Sequence, residues 1–413
     1  MEYRKPNILC YRLAQLICWF VAAFIFRRRI LRSEIRGVKG PFVVIANHQA
    51  AYDFVNLIGI ADRPMSFVIS NSFYNSLPIT GFFDLLGVIP KQQFQTTPKD
   101  MRRMKRVIEH GQPLVIYPAG LMCEDGLSTP IPDATCKFLK WLDADIYVAR
   151  TAGTYFAMPK WSKGFRPGRT DIDVYKLFDR QQLADISMEE LEQAVNNALL
   201  YDAYREQENL QVLYANNQNI EGLEQVLYMC PHCLSEFTMA VKQQDTIYCK
   251  NCGYELQSDR YAFLHNRRGV GPALRYVSDW SQLIYGRLKE KLQRDGEACL
   301  TANTTIHMID YTKHRFVEVG QGTVSLTRSG FVLSGDINGR PTELNIPIAN
   351  IPSLPFSPGK YFEIQQGSNI YRCRPEDGRL VMKFINMVKI FYELSGRREK
   401  RKAAAQANHT VHA

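Results

Sequence analysis

Between Pro41 and Leu177 the apolar residues come in short runs separated by stretches with helical spacing. This alternation constrains the fold more than any other feature of the chain. Strands that alternate with helices pair largely in parallel and are covered on both faces. The expected strands are 42–46, 66–69, 88–90, 114–117, 146–150 and 172–177. The clearest helix is expected over 98–110. Thr97 can cap it, Pro98 suits its first position, Asp100 favours the positive end of the dipole, and Gly111 stops it. Its Arg102, Arg103, Lys105 and Arg106 make a basic surface, either a solvated face or a contact for phosphate. The fold class expected is α/β, a mixed, mostly parallel sheet flanked by helices, followed by smaller units.

The first strand ends in Asn47-His48, and Asp53 follows. Open α/β sheets place their ligands at the carboxyl ends of strands. Residues five apart do not share a face of one helix, so contact between His48 and Asp53 requires the chain to bend between them. A carboxylate on Nδ1 fixes the imidazole tautomer and leaves Nε2 free to accept a proton. Alone, the pair also fits a loop histidine beside an aspartate. Three later strand ends give it context. Gly87-Val88-Ile89-Pro90-Lys91 ends in a cation, Tyr117-Pro118-Ala119-Gly120 in a turn, and Arg150 precedes Thr151-Ala152-Gly153. A parallel sheet brings such ends to one edge, where glycines let backbone amides approach an anion.

Taken together, these stretches resemble the glycerophospholipid acyltransferase family, which includes 1-acylglycerol-3-phosphate acyltransferases. The family's Asn-His-x4-Asp motif is matched by Asn47, His48 and Asp53. Lys91 stands where the second motif usually has arginine. The third motif, Phe-Pro-Glu-Gly, reads Tyr117-Pro118-Ala119-Gly120, so its glutamate is missing. By domain size the resemblance covers about residues 10–180. It implies that His48 acts as general base and Asp53 orients it. It also implies that Asn47, Lys91, Tyr117, Pro118, Gly120 and Arg150 serve the substrate. Glu124 and Asp125 either supply the absent carboxylate or are turn residues.

Four cysteines form the most specific isolated motif. Cys230-x2-Cys233-x15-Cys249-x2-Cys252 has the spacing of a tetrahedral zinc ribbon, with a hairpin expected over 234–248. Four thiolates close the coordination sphere, so the expected Zn2+ is structural. The six scattered cysteines fit a reducing cytosol. Few cations lie in or between the knuckles, which argues against nucleic acid as a partner.

At the N-terminus, residues 8–26 are nearly all apolar and would make a helix about 28 Å long, just short of a bilayer core. Arg27, Arg28, Arg29 and Arg32 follow. The expectation is an anchor lying in one leaflet, with its arginines on lipid phosphates, at the cytoplasmic face of the cell membrane and peripheral or monotopic. A spanning helix and a buried core helix remain the alternatives. The net charge of +10 suits an anionic partner without choosing one.

The expected organisation is therefore an anchoring segment at 1–34, an acyltransferase domain with trailing helices at 35–220, and a zinc ribbon at 226–260. A helix and β-rich domain follows at 261–395, by analogy pleckstrin-homology-like, and then a basic disordered tail at 396–413. One helical region is expected over 187–214, and helices over 279–294 and 380–394. The expected function is transfer of a fatty acyl group from acyl-CoA or acyl-carrier protein to the hydroxyl of a lysophospholipid, foremost 1-acylglycerol-3-phosphate. Membrane lipids, the acyl donor and a protein bound by the C-terminal region are the expected partners. The alternatives are another lysolipid or an amino-acid-based acceptor, or a non-catalytic membrane scaffold using the ribbon and the β-rich region.

Overall fold

A computed structural model describes residues 4–94, 97–132, 134–367 and 369–396. Of the tail expected at 396–413, residues 397–413 lie outside the described residues. Strands β1 (Arg29–Ser33), β2 (Phe42–Ala46), β3 (Ser66–Ser70), β4 (Ile89–Lys91), β5 (Leu114–Ile116), β6 (Asp145–Ala152) and β7 (Asp171–Phe178) form one sheet in the order β1-β7-β6-β2-β5-β3-β4. β7 runs antiparallel to β6, and β1 runs parallel to β7. The remaining ladders are parallel. The sheet is thus mixed and mostly parallel.

Helices α1 (Ile8–Phe24), α2 (Asp53–Ile58), α3 (Asn71–Asn75), α4 (Thr80–Leu85), α5 (Pro98–Glu109), α6 (Ala134–Leu142), α7 (Thr154–Ala157), α8 (Arg180–Asp185), α9 (Met188–Leu199) and α10 (Ala203–Leu210) accompany the sheet. Every residue of β2 is buried. The period of two sends Val43 and Ile45 to a core shared with Met104 and Val107 of α5 and with Leu139 of α6. Phe42, Val44 and Ala46 face the other core, with Tyr11, Cys18 and Val55. α5 starts in a full capping box between Thr97 and Asp100. Of its basic surface, Lys105 donates to the carbonyls of Trp141 and Leu142 and so closes the end of α6.

Two expectations change here. The helical region expected over 187–214 is broken after Leu199. Asp202 caps a separate α10, accepting hydrogen bonds from the amides of Tyr204 and Arg205. The arginines expected on lipid phosphates are largely committed within the protein. Arg29 and Arg32, on β1, make bidentate pairs with Asp171 and Asp173 on β7, and Arg28 donates to the Asn56 carbonyl. The register places these carboxylates opposite the arginines, and a bidentate pair is the strong form of the contact. The sheet therefore begins inside the segment assigned to the anchor.

α1 has two apolar faces. Tyr11, Ala14, Cys18 and Ala22 are buried at helical spacing against the domain. Leu9, Leu13, Leu16, Ile17, Phe20 and Phe24 are exposed, Leu9 at 78%. No described helix is long and apolar enough to cross a membrane.

Past residue 238, β8 (Met239–Lys242), β9 (Thr246–Cys249), β10 (Glu255–Ser258) and β11 (Leu264–His265) form a small antiparallel sheet. α11 (Val277–Arg294) follows. Then β12 (Leu300–Asp310), β13 (Arg315–Leu326), β14 (Gly330–Ile337), β15 (Arg340–Pro347), β16 (Phe356–Ser357), β17 (Tyr361–Gln366) and β18 (Asn369–Pro375) make a second seven-stranded sheet. Its order, β15-β14-β13-β12-β18-β17-β16, is antiparallel throughout. α12 (Leu380–Leu394) packs its apolar face on it through Phe384, against Phe331 and Phe362. One continuous core runs from Tyr11 through Trp280 to Phe391. The C-terminal units are therefore packed onto the first sheet and do not hang from a linker.

Candidate active site

The bend after β2 is built by one carboxylate. Asp53, at the start of α2, is fully buried. Its Oδ2 accepts from the amides of Gln49 (2.7 Å) and Ala50 (3.0 Å) and lies 2.9 Å from His48 Nδ1. An ionised carboxylate only accepts, so Nδ1 carries the proton and Nε2 is the free base. The His48 side chain keeps 20% of its surface exposed, so the base is reachable. Its ring lies 4.5 Å from that of Tyr117, tilted by 34°. The Tyr117 hydroxyl is buried without a hydrogen-bond partner, and burial holds its pKa well above the usual value.

The neighbouring residues fix the backbone. Asn47 exchanges hydrogen bonds with the Thr151 carbonyl and amide, each at 2.8 Å. Asn47, expected at the substrate, is buried and joins the ends of β2 and β6, with both halves of its amide satisfied there, and also lines the recess beside His48. Gln49 accepts from Thr154 and Tyr155. The His48 carbonyl accepts from Tyr201 Oη (3.1 Å) and the Cys123 amide (3.3 Å).

The remaining expected residues divide. Tyr117, Pro118 and Gly120 form a turn closed by the Gly120 amide on the Tyr117 carbonyl. Gly120 has φ +69°, and a Cβ there would meet open space, so conformation and not crowding calls for glycine. Lys91 ends β4 at the same sheet edge, but β5 and β3 stand between β4 and β2, roughly 14 Å at ordinary strand spacing. The structure therefore does not bring Lys91 against His48. Burial depresses its pKa, and its Nζ donates to the Gln92 carbonyl. Arg150, expected as a second cation for the acceptor, is held 2.5 Å from Glu206 of α10. Glu124, weighed as a replacement carboxylate, turns to Lys389. Asp125 accepts from the Leu127 amide, as a turn residue does.

A small recess opens beside His48, lined by Ala46, Asn47, Ala119, Ser128, Thr129, Ile131, Leu199 and Tyr201. Ser128, Thr129 and Tyr201 carry no motif, and nothing local in the sequence marks them. The lining combines the hydroxyls of Ser128, Thr129 and Tyr201 with the aliphatic side chains of Ala119, Ile131 and Leu199. A base with a fixed tautomer at the mouth of such a recess can remove a hydroxyl proton from a bound alcohol.

The four cysteine sulfurs Cys230, Cys233, Cys249 and Cys252 lie within 4.8 Å of one another. Cys230 to Cys252 and Cys233 to Cys249 are each 3.7 Å. Four ligands about 2.3 Å from a tetrahedral centre stand about 3.8 Å apart, so the cluster can hold a metal ion.

Comparisons with known proteins bear on the first sheet. The Acyltransferase family model matches residues 27–157. A search of curated proteins finds no match. Among solved structures, the chain is similar to the 1-acyl-sn-glycerophosphate (LPA) acyltransferase PlsC from Thermotoga maritima. That likeness has 17% identity, covers 49% of this chain and 78% of that one, and has a TM-score of 0.40.

Proposed function

We propose that the protein, whose residues 27–157 match the Acyltransferase family model, is an O-acyltransferase that moves a fatty acyl group from an acyl thioester to the free hydroxyl of a lysophospholipid. The observation that carries this reading is the 2.9 Å contact between His48 Nδ1 and buried Asp53. His48 Nε2 takes the acceptor's hydroxyl proton while the oxygen attacks the thioester carbonyl. A C–O bond forms and the C–S bond breaks. The imidazolium returns its proton to the departing thiolate, and Asp53 stays ionised throughout. No serine or cysteine nucleophile is needed.

The acceptor read here is 1-acylglycerol-3-phosphate, giving phosphatidic acid, with acyl-CoA or acyl-carrier protein as donor. Lys91 is the cation available at the sheet edge for the phosphate. It acts as a point charge without the planar fork of arginine. The four cysteines are read as a structural Zn2+ site, because all four positions are filled by thiolate and none is left for substrate. The exposed face of α1 supports a peripheral or monotopic position on the cytoplasmic face of the cell membrane.

The test uses purified full-length protein, palmitoyl-CoA and a panel of lyso-acceptors, with products identified by mass spectrometry. Phosphatidic acid is the expected main product. Acyl label entering only acceptors without a phosphate would defeat this acceptor while leaving the acyl transfer standing.

A further inference from the structure

Residues 117–132 connect β5 to α6 without forming a helix or a strand of the sheet. This segment lines the recess through Ala119, Ser128 and Thr129 and touches the base, since the Cys123 amide donates to the His48 carbonyl and Cys123 Sγ lies 3.7 Å from the Gln49 carbonyl. A segment without regular structure depends on side-chain contacts for its position. Besides bonds from Gln93 to the Gly120 carbonyl and from the Ala203 amide to the Gly126 carbonyl, one contact comes from α12. Buried Glu124 lies 2.9 Å from Lys389 of α12, 265 residues away. Burial alone would push the Glu124 carboxyl up, but Lys389 and Lys160 outweigh it and hold the pKa below its usual value. Lys160, itself pushed down to about 8 by burial, donates to the Met122 carbonyl and sits 3.3 Å over the Phe356 ring of β16.

The segment after β4 is held from the same side. Gln92, next to Lys91, donates to the Gly367 carbonyl in the β17–β18 turn at 2.8 Å. Ser72 donates to Glu363 of β17 at 3.0 Å, and Arg372 of β18 braces that carboxylate. Both segments thus contact the C-terminal sheet or its helix.

We propose that Lys389 is a positioning residue for acyl transfer, holding the 121–124 segment on the His48 backbone through Glu124, so that the C-terminal module is part of the catalytic unit. A buried ion pair is poor evidence of net stability, because desolvation offsets the attraction. What the pair does supply is a preferred arrangement, since moving Glu124 away takes the nearest carboxylate from a half-buried ammonium. The inference rests on the acyl-transfer reading above and concerns which residues set its geometry.

The test compares full-length wild type, Lys389→Met and Lys389→Arg with palmitoyl-CoA and 1-acylglycerol-3-phosphate. Lys389→Met should lower kcat per folded molecule by about 10- to 100-fold, with KM for palmitoyl-CoA within about twofold. Lys389→Arg keeps the charge and should stay within about threefold of wild type. Amide exchange over 121–124 should quicken by about tenfold in Lys389→Met while β12–β14 keep their protection. If Lys389→Met does not fold, Glu124→Gln breaks the same pair from the other side, and the same changes are expected. An unchanged kcat, an arginine variant no better than methionine, or unchanged exchange at 121–124 would each overturn the proposal. Wild type that transfers nothing defeats the acyl-transfer reading instead, and the exchange result still decides whether Lys389 holds the loop.

Discussion

Asp53 Oδ2 accepts from the His48 ring and from two backbone amides at once, those of Gln49 and Ala50. One carboxylate therefore both shapes the bend that exposes His48 and fixes the proton on its Nδ1. Asp53→Asn keeps an oxygen that can accept from the ring and both amides, but it lacks the negative charge that stabilises the imidazolium formed when His48 takes a proton. The variant should fold and lose about 10²- to 10⁴-fold in kcat with little change in KM. Steady-state kinetics check this, and a wild-type kcat would remove Asp53 from the mechanism.

Asp125 gives a pH-dependent prediction. Burial and then the neighbouring Glu124 charge push its pKa up to about 6, against which hydrogen bonds from Ser281 and the Leu127 amide and the nearby Lys389 charge act. The folded state then holds more protons than the unfolded chain between about pH 4 and 6, so stability falls as pH rises through that window. Asp125→Asn removes the effect. The variant should be more stable than wild type by roughly 1–3 kcal/mol at pH 7.5, with the difference closing near pH 4. Urea melts at the two pH values measure it.

The cysteine cluster predicts about one metal ion per chain, bound as zinc. Cys230 and Cys249 lie in the same continuous core as Trp280 and Phe391, and the Trp280 indole donates to the Met229 carbonyl beside the first knuckle. Losing the metal should therefore loosen more than the ribbon. Cys249→Ser, or treatment with a chelator, should release the zinc and lower Tm by about 5 °C or more. Elemental analysis paired with calorimetry reads both, and a metal-free protein of equal Tm would contradict the site.

The outward face of α1 predicts binding to lipid surfaces. Leu13 and Phe20 are each at least half exposed, and replacing both with serine leaves the inward stripe of Tyr11, Ala14, Cys18 and Ala22 untouched. Partitioning onto vesicles containing phosphatidylglycerol should weaken by about 100-fold or more at unchanged Tm. Co-sedimentation measures it, and equal binding would leave that face without a role at the bilayer.

The features legible in the sequence were local ones. The β-branched run 43–45 announced a buried strand, and Thr97-Pro98 with Asp100 announced a helix start, because period and capping act over a few residues. The His48–Asp53 contact was legible for the same reason. Features set by distant partners were not. β1 carries Arg29 and Arg32, which read as charge for a membrane until Asp171 and Asp173 are seen opposite them. Arg150 looks free until Glu206 arrives on a helix that itself begins only because Asp202 caps it. Glu124 and Lys389 are 265 residues apart, and no spacing rule connects them. The contacts around the expected acceptor residues are non-local in this way, so their packing could not be read from spacing.

The central claim is that His48 is the base for acyl transfer, and its replacement tests this most directly. With palmitoyl-CoA and 1-acylglycerol-3-phosphate, the initial rate of phosphatidic acid formation should fall by about 10³-fold or more in His48→Ala at unchanged Tm. A variant that forms product as fast as wild type would contradict the mechanism.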